Sequence, residues 1–159
     1  MLTSDGIPTK GDLAAVTPPE ERLAKGPVAI VECFQEIPCD PCVKSCKQGA
    51  ITMQGINGLP IMDAELCNGC GVCIFFCPGL AIFVVDKTWS EERALVKLPY
   101  EYVPIPQAGQ YVAGLDRAGR ELGMFEIIKV TSGGKKNMTR AISLAVPQDL
   151  AMEVRNIRT

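Results

Sequence analysis

The chain has 159 residues, 47% of them hydrophobic, and a net charge of −2; this suits one packed domain or two small ones and argues against global disorder and against broad binding to nucleic acid or anionic membranes. It contains no histidine, which excludes His-based acid–base or nucleophilic catalysis, Rieske-type ligation and mixed Cys/His zinc sites. The most apolar stretch, CIFFCPGLAIFVV at 73–85, is broken by Pro78 and Gly79 and falls short of the ~20 residues of a membrane-spanning helix.

Residues 1–26 are rich in Pro, Gly and charge and predict an extended N-terminal arm with at most one short helical turn near 18–25. The opening MLTSDGIPTKG has no basic region, apolar core or cleavage site, so a cytoplasmic location is expected. VAIVE at 28–32 predicts an apolar strand leading into the first cysteines. ITMQGINGLPIMD at 51–63 predicts a hairpin with Asn57–Gly58 at its turn. AIFVVD at 81–86 predicts the strand that pairs with VAIVE. A boundary is expected near 87–93, with the single tryptophan, Trp89, as packing between two domains.

Beyond that boundary there is no cysteine. LVKLPYEYVPIP at 95–106 is limited by its prolines to an edge or a strand end. GQYVAGLDRAGRELGMFEIIKV at 109–130 predicts two strands around a tight turn at 116–119, SGGKKN a second turn, and TRAISLAV at 139–146 a further strand. A short helix is expected from Pro147 to Arg155. The predicted fold class is α+β: a cysteine-bearing domain at 27–88, then a small antiparallel β-barrel-like domain at 89–159 with a C-terminal helix. The glycines at 114–123 and 133–134 have the wrong spacing for dinucleotide or phosphate loops and are expected to be turns. The second domain carries no recognisable chemistry and is expected to dock or shield. No catalytic residue is expected in the chain.

Eight cysteines in a cytoplasmic chain point to metal binding ahead of disulfides. Cys67, Cys70, Cys73 and Cys77, followed by Pro78, have the complete C-x2-C-x2-C-x3-C-P spacing and resemble the run of bacterial two-cluster ferredoxins. In such a run, three cysteines on a loop with small residues between them wrap three corners of a cubane, and the fourth reaches the other cluster. A shift of 31 residues carries Cys39, Cys42 and Cys46 onto Cys70, Cys73 and Cys77, and Ala50 and Ile51 onto Ala81 and Ile82, whereas Cys33 and Cys67 are 34 apart. The chain therefore holds a duplicated half-ferredoxin with three residues inserted in one loop.

The resemblance implies a ferredoxin-type domain at 27–88 with two [4Fe–4S] clusters and crossed ligand sets. One takes Cys33, Cys39, Cys42 and Cys77; the other takes Cys67, Cys70, Cys73 and Cys46. Paired four-cysteine zinc sites are the alternative, and a first site that Cys33 does not complete is another. The insert around Phe34–Pro38 reads either as a longer loop that still delivers Cys33 or as a cover over the first cluster. Lys47 stands where Pro78 stands in the second half and is either a solvated residue or a cation that raises a cluster potential.

More narrowly, VECFQEIPCDPCVKSCKQGAI followed by GLDRAGRELGMFEIIKV resembles the small iron–sulfur subunits of multi-subunit flavin-dependent dehydrogenases, of the amino-acid or hydroxyproline dehydrogenase and sarcosine-oxidase-like kind. The resemblance implies an electron-transfer subunit of a hetero-oligomer, with FAD or FMN on the flavin-dependent dehydrogenase partners and not on this chain.

Overall fold

The computed structural model describes residues 5–159; residues 1–4 of the expected arm lie outside them. The arm is more ordered than its composition predicts. Thr9 and Asp12 form a reciprocal cap: the Asp12 amide donates to Thr9 Oγ1 and the Thr9 amide to Asp12 Oδ2. That cap opens helix α1, Lys10–Val16. A one-turn helix α2, Glu20–Leu23, follows as expected and buries Arg22 and Leu23.

Strand β1, Val28–Val31, is buried along its whole length. Helix α3, Pro41–Ser45, starts with proline at its first turn, where no N–H is needed. Strands β2, Ile51–Met53, and β3, Pro60–Met62, form the expected hairpin, closed by Gly58 N–H to Gly55 O, so that Ile56 and Asn57 are its central pair. A 3-10 turn covers Val72–Phe76, and β4, Ile82–Asp86, pairs with β1 as anticipated.

Strands β5 (Arg93–Tyr100), β6 (Tyr111–Leu115), β7 (Glu121–Ser132), β8 (Arg140–Pro147) and β9 (Asn156–Arg158) complete the chain. Seven strands form one sheet in the order β1-β4-β5-β8-β7-β6-β9, with every neighbour antiparallel. The turn after β4 therefore joins two strands of a single sheet. Trp89 lies in that turn, half-buried, with the Arg93 guanidinium 5.2 Å from its ring centre.

Three expectations are corrected. Among the described residues no closed barrel forms, because β1 and β9 pair on one side only and are the two edges of an open sheet. β5 is internal, yet Pro99 lies past the Leu95–Lys97 stretch paired with β4, so the strand is locally an edge where the proline sits. The C-terminal helix is a 3-10 turn at Gln148–Leu150. After it the Arg155 amide bonds Leu115 O, and Asn156–Arg158 adds β9 to the edge of β6.

The period of two along β1 and β4 positions everything that follows. Val28, Ile30, Phe83 and Val85 face the large core shared with β5–β9. Ala29, Val31, Ile82 and Val84 face the opposite side, where they pack with Ile51, Ile74, Cys42 and Cys73. The cysteine-bearing loops thus form a second layer on the sheet, and this explains why β1 is apolar on both faces.

Candidate metal centre

The repeat seen in the cysteine spacing is a structural repeat. α3 carries Cys42 and the 3-10 turn carries Cys73; both sulfur-bearing residues are buried, and each segment ends at a residue in extended backbone, Cys46 and Cys77. Five residues after each of these, Ile51 and Ile82 anchor the segments in the same apolar cluster. The second loop curls tightly through Gly69 and Gly71, both in the left-handed region at φ 68° and 79°.

The eight cysteines gather into two groups of four around two cavities. One cavity is lined by Cys33, Cys39, Cys42 and Cys77. The other, about 210 Å³, is lined by Cys46, Cys67, Cys70 and Cys73. Each therefore draws three cysteines from one half of the repeat and one from the other. The first cavity is smaller, about 30 Å³, and Gln35 and Ile37 of the inserted loop are among its lining residues, with Met53 and Pro60. Lys47 is exposed and lies on the rim of the second.

Electrostatics follows the same grouping. Burial raises the Cys33 thiol above its ordinary value, the Gln35 amide offsets part of this, and Cys77 and Cys39 push it further. Burial also raises Cys42, with the Val43 amide opposing and Cys77, Cys39 and Cys33 adding. In the second group burial and then Cys67, Cys70 and Cys46 push Cys73 up to about 12. Four thiolates crowded into a half-buried cavity repel one another and lose their water, so they need a compensating cation to ionise together.

The donor set suits an iron–sulfur cluster. Four cysteines line each cavity, and among the described residues no group of three or more His, Cys, Asp or Glu is set to hold a metal ion. Backbone amides already point at them: Ala29 and Gly69 donate to Cys67 Sγ, and Ala81 donates to Cys77 Sγ, each at 3.4 Å. Such bonds stabilise negative charge on sulfur and tune the potential of a bound cluster. Cys70 is the one exposed cysteine of the eight, which leaves the second site open to the surface at that corner.

Sequence reasoning missed a set of charged contacts beside these cavities. Glu32, next to Cys33, accepts from Arg117 Nε and Nη2 at 2.8 and 2.7 Å and from Arg155 Nε at 2.7 Å. Its partners lie 85 and 123 residues away in the chain, so no spacing signal could reveal them. Asn137, in the β7–β8 loop, donates through Nδ2 to Phe75 O at 2.6 Å and so pins the 3-10 turn that carries Cys73. Arg22 donates to the backbone carbonyl of Cys67 at 2.6 Å.

Residues 60–83, which include Cys67, Cys70, Cys73 and Cys77, match the 4Fe-4S binding domain family. An uncharacterized ferredoxin of Methanocaldococcus jannaschii is 36% identical over 70 residues, 43% of this chain and 43% of that protein. The ferredoxin-type protein NapF of Escherichia coli K12 is 42% identical over 53 residues, 31% of this chain and 32% of its own length. The chain spans less than half the length of these curated relatives. No solved structure matches it. These matches support an iron–sulfur ferredoxin domain with 4Fe–4S cluster binding in this part of the chain. Among the described residues no helix is long and apolar enough to cross a membrane.

Proposed function

We propose that this chain holds two [4Fe–4S] clusters and relays single electrons between a flavin on a partner subunit and a further acceptor, within a dehydrogenase complex that oxidises an amine or imino acid. The observation that carries the two-cluster reading is the division of eight cysteines into two four-cysteine cavities, each completed by the other half of the repeat. A [4Fe–4S] cluster bound at each site takes up and releases one electron at a time. The chain's own residues do the rest. Cys33, Cys39, Cys42 and Cys77 hold one cluster; Cys67, Cys70, Cys73 and Cys46 hold the other. The amides of Ala29, Gly69 and Ala81 stabilise negative charge at sulfur, and the inserted loop limits water at the first site. Assignment to a flavin-dependent complex rests on the sequence resemblance, in particular the wide Cys33–Cys39 spacing. It also answers a chemical need, because a flavin that takes two electrons from substrate requires a one-electron exit. A free-standing carrier is the second reading, favoured by the likeness to an uncharacterized ferredoxin and a ferredoxin-type protein.

Anaerobic affinity purification from the native cells, with iron, acid-labile sulfide and flavin quantified, tests both levels. Iron and sulfide for two clusters are expected, and Cys33→Ser is expected to cost the first site its cluster, about half of the iron. Co-elution of flavoprotein subunits, with substrate bleaching the cluster absorbance, supports the subunit role. A flavin-free chain that elutes alone makes it a free carrier. Wild-type protein with zinc in place of iron sinks both readings.

A further inference from the structure

Arg22 is buried, with 6% of its surface exposed, and among the described residues its guanidinium is engaged only by carbonyl oxygens. Nε donates to Ala64 O at 2.6 Å, Nη1 to Gly26 O at 3.1 Å, and Nη2 to Pro27 O at 3.1 Å and Cys67 O at 2.6 Å. No acidic side chain among the described residues pairs with it; Glu20 pairs with Lys87 and Glu65 with Lys25. Carbonyl dipoles solvate a guanidinium but leave its charge in place, and a buried charge without a counter-ion is costly. The contrast with the first site is direct. There Arg117 and Arg155 share Glu32, an acid supplied by the chain itself.

One of the four carbonyl acceptors of Arg22, Cys67 O, belongs to the second cysteine group and its cavity. Cys67 Sγ accepts from the amides of Ala29 and Gly69. Gly69 has no room for a side chain, since a Cβ there would stand 2.5–2.6 Å from Pro27. The Gly26–Pro27 backbone that Arg22 grips is therefore pressed against the cysteine loop. An iron–sulfur cluster with four thiolate ligands is an anion and becomes more negative when reduced.

We infer that Arg22 is the counter-charge and positioning residue of the cluster held at Cys46, Cys67, Cys70 and Cys73. It holds the Cys67 loop from behind and stabilises the reduced state, so it raises the midpoint potential of that cluster. Burial keeps its field poorly screened, so the effect persists at physiological salt. This inference rests on the two-cluster reading above, and the two fail differently. If the wild-type chain binds no iron, that reading fails; if it binds iron and Arg22 substitutions leave the potentials alone, this inference fails.

The test is an EPR-monitored dithionite titration of the full iron-loaded chain, comparing wild type with Arg22→Gln and Arg22→Lys. With Arg22→Gln one of the two midpoints is expected to shift downward while the other stays. With Arg22→Lys, which keeps the charge, the shift is expected to be smaller. Unshifted midpoints in fully loaded Arg22→Gln overturn the inference, as does an equal shift of both clusters. Should Arg22→Gln lose iron at the second site, retained iron and a near-native midpoint in Arg22→Lys support a role for the charge. Equal iron loss in both variants would assign Arg22 to loop geometry alone and overturn the counter-charge role.

Discussion

Glu32 shows how one carboxylate can tie a metal site to distant parts of the chain. It sits at the end of β1 beside Cys33, and only 7% of its side chain is exposed. Burial by itself would raise its pKa, but the hydrogen bonds and charge of Arg117 and the charge of Arg155 outweigh this and hold it below its ordinary value of 4.5. A carboxyl depressed on folding contributes stability above its unfolded pKa, and that stability is lost as pH falls through the folded value. Glu32→Gln leaves two guanidinium groups buried without their acid and is expected to cost about 3–5 kcal/mol, measured by denaturant unfolding at neutral pH. The same experiment repeated below pH 4.5 should show the gap between wild type and variant closing; a gap independent of pH would contradict the pairing. At this scale the cysteines were legible because their spacing is local and recurs at 31 residues. Glu32, Arg117, Arg155 and Arg22 were not, because each acts through a neighbour supplied by the fold.

Among the elements, β1 and β4 were legible as apolar strands because continuous runs such as VAIV have few other uses. That they form the floor of the cysteine layer was not legible, since the run itself does not say which face meets which layer. The C-terminal helix failed for a related reason. Pro147 and Asp149 are plausible helix starters, but a helix through Arg155 would withdraw its side chain from Glu32 and its amide from Leu115. α1 went unread because its cap uses Asp12 where the usual signal is Glu or Gln. Loop and segment meet most closely at Gly69, where a methyl group has no space against Pro27 and the backbone is left-handed at φ 68°. Gly69→Ala is therefore expected to lower iron at the second site while leaving the first loaded, read as the loss of one EPR signal. Loss of both signals together would mean that the two sites cannot be perturbed separately.

The whole molecule is organised by one sheet with cysteine loops on one side and a larger core on the other. Segments that connect the later strands bond to the cysteine layer at two points, Arg117 and Arg155 on Glu32 and Asn137 on Phe75. A chain cut after residue 88 keeps every cysteine but loses both holds and most of the core beneath β1 and β4. It is expected to bind substantially less iron than the full chain on anaerobic reconstitution; equal iron content would show that the ferredoxin portion stands alone. The exchange of one cysteine between the two halves of the repeat also sets an order of events during synthesis. A ribosome that has released Cys46 has made neither cavity wall complete, because the first still waits for Cys77 and the second for Cys67, Cys70 and Cys73. Glu32 then waits further, through the emergence of Arg117, until Arg155 appears. A nascent chain that ends short of Cys73 thus holds no complete four-cysteine group, and one that ends short of Cys77 holds only the second.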